Sequence, residues 1–248
     1  MTQMLASVAS ASEAMLALEL GADIVDLKNP SDGALGALPL ETIRCIVAII
    51  DGRCMLSATI GDPPEDMTLI PQRIAATANT GVDIVKVGVA SNRYSIAAWQ
   101  GMACEPMAAR LVAVLFADQH PDFAWIEYLA ACGFYGVMLD TADKRSGGLR
   151  RHLDDTTLRE FVQRARLANL ACGLAGSLRV DDVAPLLAMN PDYLGFRGAL
   201  CRNAARTGVL DPDAFRAVRA CLTQHVGWVP DPPSSLPPPR RVGDPPYV

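Results

Sequence analysis

Lysine is almost missing from this sequence. Lys28, Lys86 and Lys144 stand alone beside nineteen arginines. Arginine can replace a surface lysine for solubility, but it cannot act as a neutral amine nucleophile. Each surviving lysine therefore poses a functional question. Histidine is as scarce: His120, His152 and His225 lie far apart and form no ligand motif, which argues against a structural zinc site. The seven cysteines are odd in number, scattered and without a C-x-x-C pair. That suits buried thiols in a reducing compartment better than a disulfide framework. There is no basic run, and the formal net charge is -5, so general polyanion binding is disfavoured. No apolar run is long enough to cross a membrane. The opening stretch MTQMLASVASASEAMLALEL carries no positive charge at its start and is interrupted by Glu13, unlike a signal peptide. The expectation is a cytoplasmic protein with no nucleic-acid or membrane partner and no metal.

What is present is an alternation of short apolar runs and amphipathic stretches. Strands are expected at 4–9, 23–28, 54–60, 83–89, 110–118, 135–140, 168–176 and 191–198. Helices are expected near 12–20, 39–50, 67–79, 95–107, 122–132, 154–167, 180–189 and 212–223. Gly-Ala-Asp and Gly-Val-Asp lead into two of the strands, at Gly21–Asp23 and Gly81–Asp83. Eight strands alternating with eight helices in 248 residues point to an α/β fold, a single-domain TIM (β/α)8 barrel over residues 1–226. Residues 227–248, GWVPDPPSSLPPPRRVGDPPYV, are too rich in proline for helix or central strand and read as an extended tail. The tail either packs on a neighbouring subunit of a homo-oligomer or stays disordered.

All three lysines fall at or just past the C-terminal end of an expected strand, the face where TIM barrels carry their active sites. Strand alternation refines the picture. Ile24, Asp26 and Lys28 share one face; so do Ile84, Lys86 and Gly88, then Gly136, Met138 and Asp140, then Tyr193, Gly195 and Arg197. The opposite faces are aliphatic and must meet the helices, so the polar sets point into the barrel. Asp26, Lys28, Lys86, Asp140 and Arg197 can then converge, with Lys144 reaching in from the loop after Asp140. Two neighbouring ammonium groups lower the pKa of at least one, and a neutral amine attacks carbonyls. A buried ion-pair network that only shapes the barrel is the other reading of the same cluster.

GLAGS (173–177) and GFRGALC (195–201) follow the seventh and eighth strands, where TIM barrels often bind phosphate. Gly173, Gly176, Ser177, Gly195, Arg197 and Gly198 are the candidate phosphate-binding residues, with Arg197 as a charged fork. SATIGD (57–62) places Ser57 and Thr59 on the interior face as hydrogen-bond donors.

The segments DIVDLKNPSDGALGA, SATIGD, DIVKVGV and GVMLDTADK resemble the (5-formylfuran-3-yl)methyl phosphate synthase family of methanofuran biosynthesis, from about residue 4 to about residue 222. The resemblance implies condensation of two molecules of glyceraldehyde 3-phosphate to a furan phosphate, with loss of phosphate and water and without a cofactor. It implies Lys28 as the Schiff-base lysine and Lys86 as the proton acceptor, with Asp26, Asp140 and Lys144 as further active-site positions. The tail has no counterpart in the resemblance. The residues by themselves leave open an imine-forming aldolase for another sugar phosphate, a carboxylate-based isomerase or epimerase, or a non-catalytic barrel that binds a phosphorylated metabolite.

Overall fold

The computed structural model describes residues 1–89, 99 and 108–224. Eight strands, β1 (Gln3–Val8), β2 (Ile24–Leu27), β3 (Met55–Thr59), β4 (Ile84–Val89), β5 (Arg110–Phe116), β6 (Gly136–Asp140), β7 (Ala171–Leu174) and β8 (Tyr193–Phe196), close into one barrel in sequence order. Every neighbouring pair is parallel, including β8 with β1. Around them run α1 (Ala11–Glu19), α2 (Leu40–Ile50), α3 (Leu69–Ala78), α4 (Trp125–Ala131), a single turn α5 (Leu149–His152), α6 (Asp155–Leu167), α7 (Val180–Leu187) and α8 (Pro212–Gln224). The helix expected at 95–107, apart from Trp99, and the tail lie outside the described residues. No helix among the described residues is long and apolar enough to cross a membrane.

Two apolar layers follow from the period-two alternation of the strands. Outward positions such as Met4, Val25, Leu56, Val85, Val137 and Leu194 join the buried faces of the helices. In α2 those faces are Ile43, Ile46 and Ile50, spaced to form one helical stripe. Inward positions Leu5, Ile24, Met55, Ile84, Val112 and Tyr193 fill the barrel. Gly173 faces Tyr193 across the β7–β8 pair. A Cβ at Gly173 would lie 2.2 Å from the Tyr193 ring, so glycine there makes room for the tyrosine.

The strand entrances repeat one device. Asp23, Asp83 and Asp192, each just before an even-numbered strand, accept the N–H of Met4, Leu56 and Cys172 on the preceding odd-numbered strand, at 2.7–2.8 Å. Gly21 and Gly81, at φ of 84° and 95°, turn the chain into two of these entrances. Strand β7 is shorter than the expected 168–176. Ala168 closes α6 and Asn169 takes a left-handed φ of 55°, so the chain turns before the ladder begins at Ala171.

The C-terminal mouth is closed between β8 and β1 by one ion pair. Arg197 follows β8 and engages Glu13 of α1 through two N–H groups, at 2.6 and 3.2 Å. Its other donors meet the carbonyls of Ser7, Arg206 and Gly208. Glu13 also accepts the N–H of Ala9 and Leu210. Glu13→Ala would leave a mostly buried guanidinium without its counter-charge, which costs about 3 kcal/mol. Thermal unfolding should show Tm lower by roughly 10 °C in a domain of this size. A loss below about 1 kcal/mol would mean that the pair behaves like a surface ion pair and the carbonyls alone hold Arg197.

Candidate active site

The parallel register places Ser7, Asp26 and Ser57 side by side on the inward faces of β1, β2 and β3. Asp26 is fully buried, and both hydroxyls donate to it, Ser7 at 2.8 Å and Ser57 at 2.7 Å. The Lys86 ammonium approaches the same carboxylate from β4 at 2.6 Å. One step nearer the mouth, Lys28 leaves the end of β2 and lies 3.6 Å from Asp140 Oδ2 at the end of β6. Lys144 comes down from the following loop and holds the other oxygen, Oδ1, at 2.5 Å. Its Nζ also donates to the Thr141 carbonyl. The chain thus builds two linked carboxylate–amine groups, and all three of its lysines enter them. Lys28, Lys86, Asp140 and Lys144 line one open cavity of about 1100 Å³.

Burial and neighbouring charge work against each other here. For Lys86, burial pushes the ammonium down from the ordinary 10.5 more strongly than Asp26 pulls it up, and nearby Lys28 pushes it further down. Lys144 is also lowered, first by burial and against the pull of Asp140. Asp140 shows the opposite balance. Burial is the largest single push and raises its carboxyl, but Lys144 and Lys28 together with hydrogen bonds bring it down to about 2. Asp26 is lowered in the same way, burial being overcome by Lys86, Lys28 and the Ser57 hydroxyl. Both carboxylates are therefore ionised at neutral pH. The stabilisation from Asp140 is complete above about pH 4 and is lost as pH falls through about 2. The arrangement can present a desolvated amine beside a second amine, with carboxylates in place to carry protons.

The loops after β7 and β8 line the same cavity through Gly176, Ser177, Leu178, Gly198 and Ala199. Gly176 and Ser177 have φ of 110° and 48°. Among the described residues, the backbone N–H groups of Gly176, Ser177, Leu178, Gly198 and Ala199 meet no protein acceptor. They are open to an anion. Three members of the expected phosphate set take other places. Gly173 sits inside β7 beneath Tyr193. Arg197 spends all five donors on Glu13 and three carbonyls, so none remains for a ligand. Gly195 lies inside β8, where a Cβ would come within 3.0 Å of Ala175 Cβ and Met138 Cε, so glycine there admits close packing of the barrel interior.

Sequence reasoning missed Ser7, Glu13 and Arg206. Ser7 was legible as an inward position of β1, two residues past Leu5. Arg206 was not: it comes from an irregular loop closed by a Cys201–Leu210 bridge, and it reaches the cavity wall with its guanidinium on the Gly33 carbonyl at 3.1 Å. No group of three or more His, Cys, Asp or Glu residues placed to hold a metal ion occurs among the described residues.

A closed (β/α)8 barrel with lysines and carboxylates gathered at its C-terminal mouth defines a TIM-barrel enzyme site. The 4-HFC-P synthase family model matches residues 4–219, and the chain belongs to that family. A protein of Methylorubrum extorquens, which carries the name (5-formylfuran-3-yl)methyl phosphate synthase provisionally, is 41% identical over 222 residues, 88% of this chain and 92% of its own. The (5-formylfuran-3-yl)methyl phosphate synthase of Methanothermobacter thermautotrophicus is 34% identical over 231 residues, 88% of this chain and 98% of its own. Among solved structures, phosphoribosyl anthranilate isomerase from Thermotoga maritima superposes with a TM-score of 0.69 at 15% identity, over 90% of this chain and 100% of the other. 3-Hexulose-6-phosphate synthase does so with 0.63 at 18%, over 90% and 100%. At that identity these two speak for the fold alone.

Proposed function

We propose that this chain is a (5-formylfuran-3-yl)methyl phosphate synthase of the cytoplasm, a lyase that joins two molecules of glyceraldehyde 3-phosphate through a Schiff base on Lys28. Loss of one phosphate and two waters balances two C3 phosphates against the C6 furan phosphate. The observation that carries this reading is the convergence of all three lysines on Asp26 and Asp140 in one cavity. Supporting it are the names of the relatives and the unpartnered N–H groups that line the same cavity as the amines.

The Lys28 amine adds to a triose phosphate carbonyl, and loss of water gives the imine. The imine acidifies the neighbouring carbon, and Lys86 takes the proton to leave an enamine. The enamine carbon attacks the aldehyde of the second triose phosphate. Lys144, paired with the ionised Asp140, gives protons to the new alkoxide and the departing groups. Hydrolysis of the imine, ring closure and elimination of water and phosphate yield the furan, and Lys28 is regenerated. The backbone N–H groups after β7 and β8 hold a phosphate.

Incubation with glyceraldehyde 3-phosphate should produce a strong ultraviolet absorbance and release inorganic phosphate in equal amount. Phosphate release without furan absorbance would point to another sugar-phosphate reaction. Crystals soaked in phosphate should show an anion against Gly176–Leu178 or Gly198–Ala199; density only elsewhere would remove those loops from the reading.

A further inference from the structure

The loop 29–38 follows β2 and does not stay at the surface. Ala34 and Leu35 are buried and join the apolar cluster inside the barrel. Asp62, just past β3, holds them there: Oδ1 accepts the Leu35 N–H at 2.7 Å and Oδ2 the Ala34 N–H at 3.3 Å. Only glycine fits beside that carboxylate. Gly33 has φ of +78°, and a Cβ on it would lie 1.7 Å from Asp62 Oδ2. Two further ties hold the loop, from the Thr59 hydroxyl to the Gly36 carbonyl and from Arg206 to the Gly33 carbonyl, both at 3.1 Å.

What the loop covers follows from β4. Its inward positions rise toward the mouth as Ile84, Lys86 and Gly88. A Cβ at Gly88 would lie 2.9 Å from Leu35 Cδ1 and 2.8 Å from Pro63 Cγ. Leu35 and Pro63 therefore occupy the space that a side chain at 88 would fill, on the mouth side of Lys86. Lys86 is 2% exposed.

We propose that Asp62 is a positioning residue: by clamping Ala34 and Leu35 it keeps an apolar cover over Lys86, and so keeps that amine dry and usable as a base. The proposal rests on the role given to Lys86 above. Water around an ammonium favours its charged form, so excluding water favours the neutral amine. The charged groups facing Lys86 are Asp26 of β2, Lys28 after it and Asp140 of β6, with Lys144 acting through Asp140. Opening the cover changes none of these charges. It changes the solvent around the amine.

Pulse acetylation with acetic anhydride across a pH series, read by peptide mass spectrometry, follows each of the three lysines separately and needs no substrate. In Asp62→Ala, the Lys86 midpoint should move up by about one pH unit or more toward the ordinary lysine value, and its plateau rate should rise at least about tenfold. Asp62→Asn keeps one acceptor oxygen and should recover part of both changes. The acid limb of the kcat/KM profile should follow the midpoint, with kcat falling more than KM rises. Leu35→Ala, which leaves the clamp in place and removes the cover, should reproduce the shift even if Asp62→Ala folds poorly. A Tm loss in these variants with the Lys86 midpoint unmoved would overturn the proposal and leave Asp62 a loop anchor. A shifted midpoint in a protein that makes no furan would sustain the clamp and remove the proposed reaction instead.

Discussion

Lys28→Arg should fold normally, lose furan formation by roughly four orders of magnitude or more, and take no label from borohydride. The guanidinium can still meet Asp140, which lies 3.6 Å from the Lys28 ammonium and already holds Lys144 on its other oxygen. The charge pattern of the mouth is thus kept while the usable amine is removed. In the unsubstituted protein, borohydride added during turnover should reduce the imine and fix substrate mass on the peptide that contains Lys28. Lys86→Arg should keep some of this label, because imine formation proceeds slowly without its proton transfers. A label found on Lys86 or Lys144 would reassign the roles within the same reaction. Full activity in Lys28→Arg, with no lysine labelled, would remove imine chemistry altogether.

The second large effect is expected at Asp26. Asp26→Ala strands the Lys86 ammonium in a dry interior and takes the acceptor from the Ser7 and Ser57 hydroxyls. Breaking a buried pair by removing one partner costs about 3–5 kcal/mol. Thermal unfolding should register this as a fall on the order of 10 °C. Activity should drop by roughly 10² to 10⁴, the range for losing a positioned proton carrier. The direction of the pH effect separates this variant from the Asp62 series. Asp26 raises the pKa of Lys86, so its removal should move the acid limb of kcat/KM to lower pH, whereas opening the cover moves it higher. Asp26→Leu combined with Lys86→Met replaces the pair by apolar groups and should regain much of the lost Tm with no activity. If Asp26→Ala kept its Tm and its pH profile, the carboxylate would be a bystander to Lys86.

The phosphate loops show where pattern reading stops. Glycines in GLAGS and GFRGALC marked two stretches of chain that line the cavity after β7 and β8. The pattern could not separate Gly176 and Gly198, whose N–H groups open onto the cavity, from Gly173, whose missing Cβ admits the Tyr193 ring. Both uses require glycine, and they differ only in what stands opposite. Helix α5 escaped notice for a related reason: a single turn, Leu149–His152, is too short to show a period.

By itself the sequence determined eight strands, their alternation with helices and the inward faces of Asp26, Lys86 and Asp140. These are local matters: a strand turns alternate side chains to opposite faces whatever lies across from it, and an aliphatic face must meet the helix layer. Only the tertiary structure decided where the loop side chains end. Arg197 continues the inward face of β8, yet it bends to Glu13, 184 positions away, because barrel closure brings α1 beside it with a carboxylate and three free carbonyls within reach. Asp62 finds Ala34 and Leu35, and Arg206 finds Gly33, in the same way. Past the last ladder bond no repeating geometry aims a side chain. Its partner is whichever acceptor or donor the closed barrel happens to bring near.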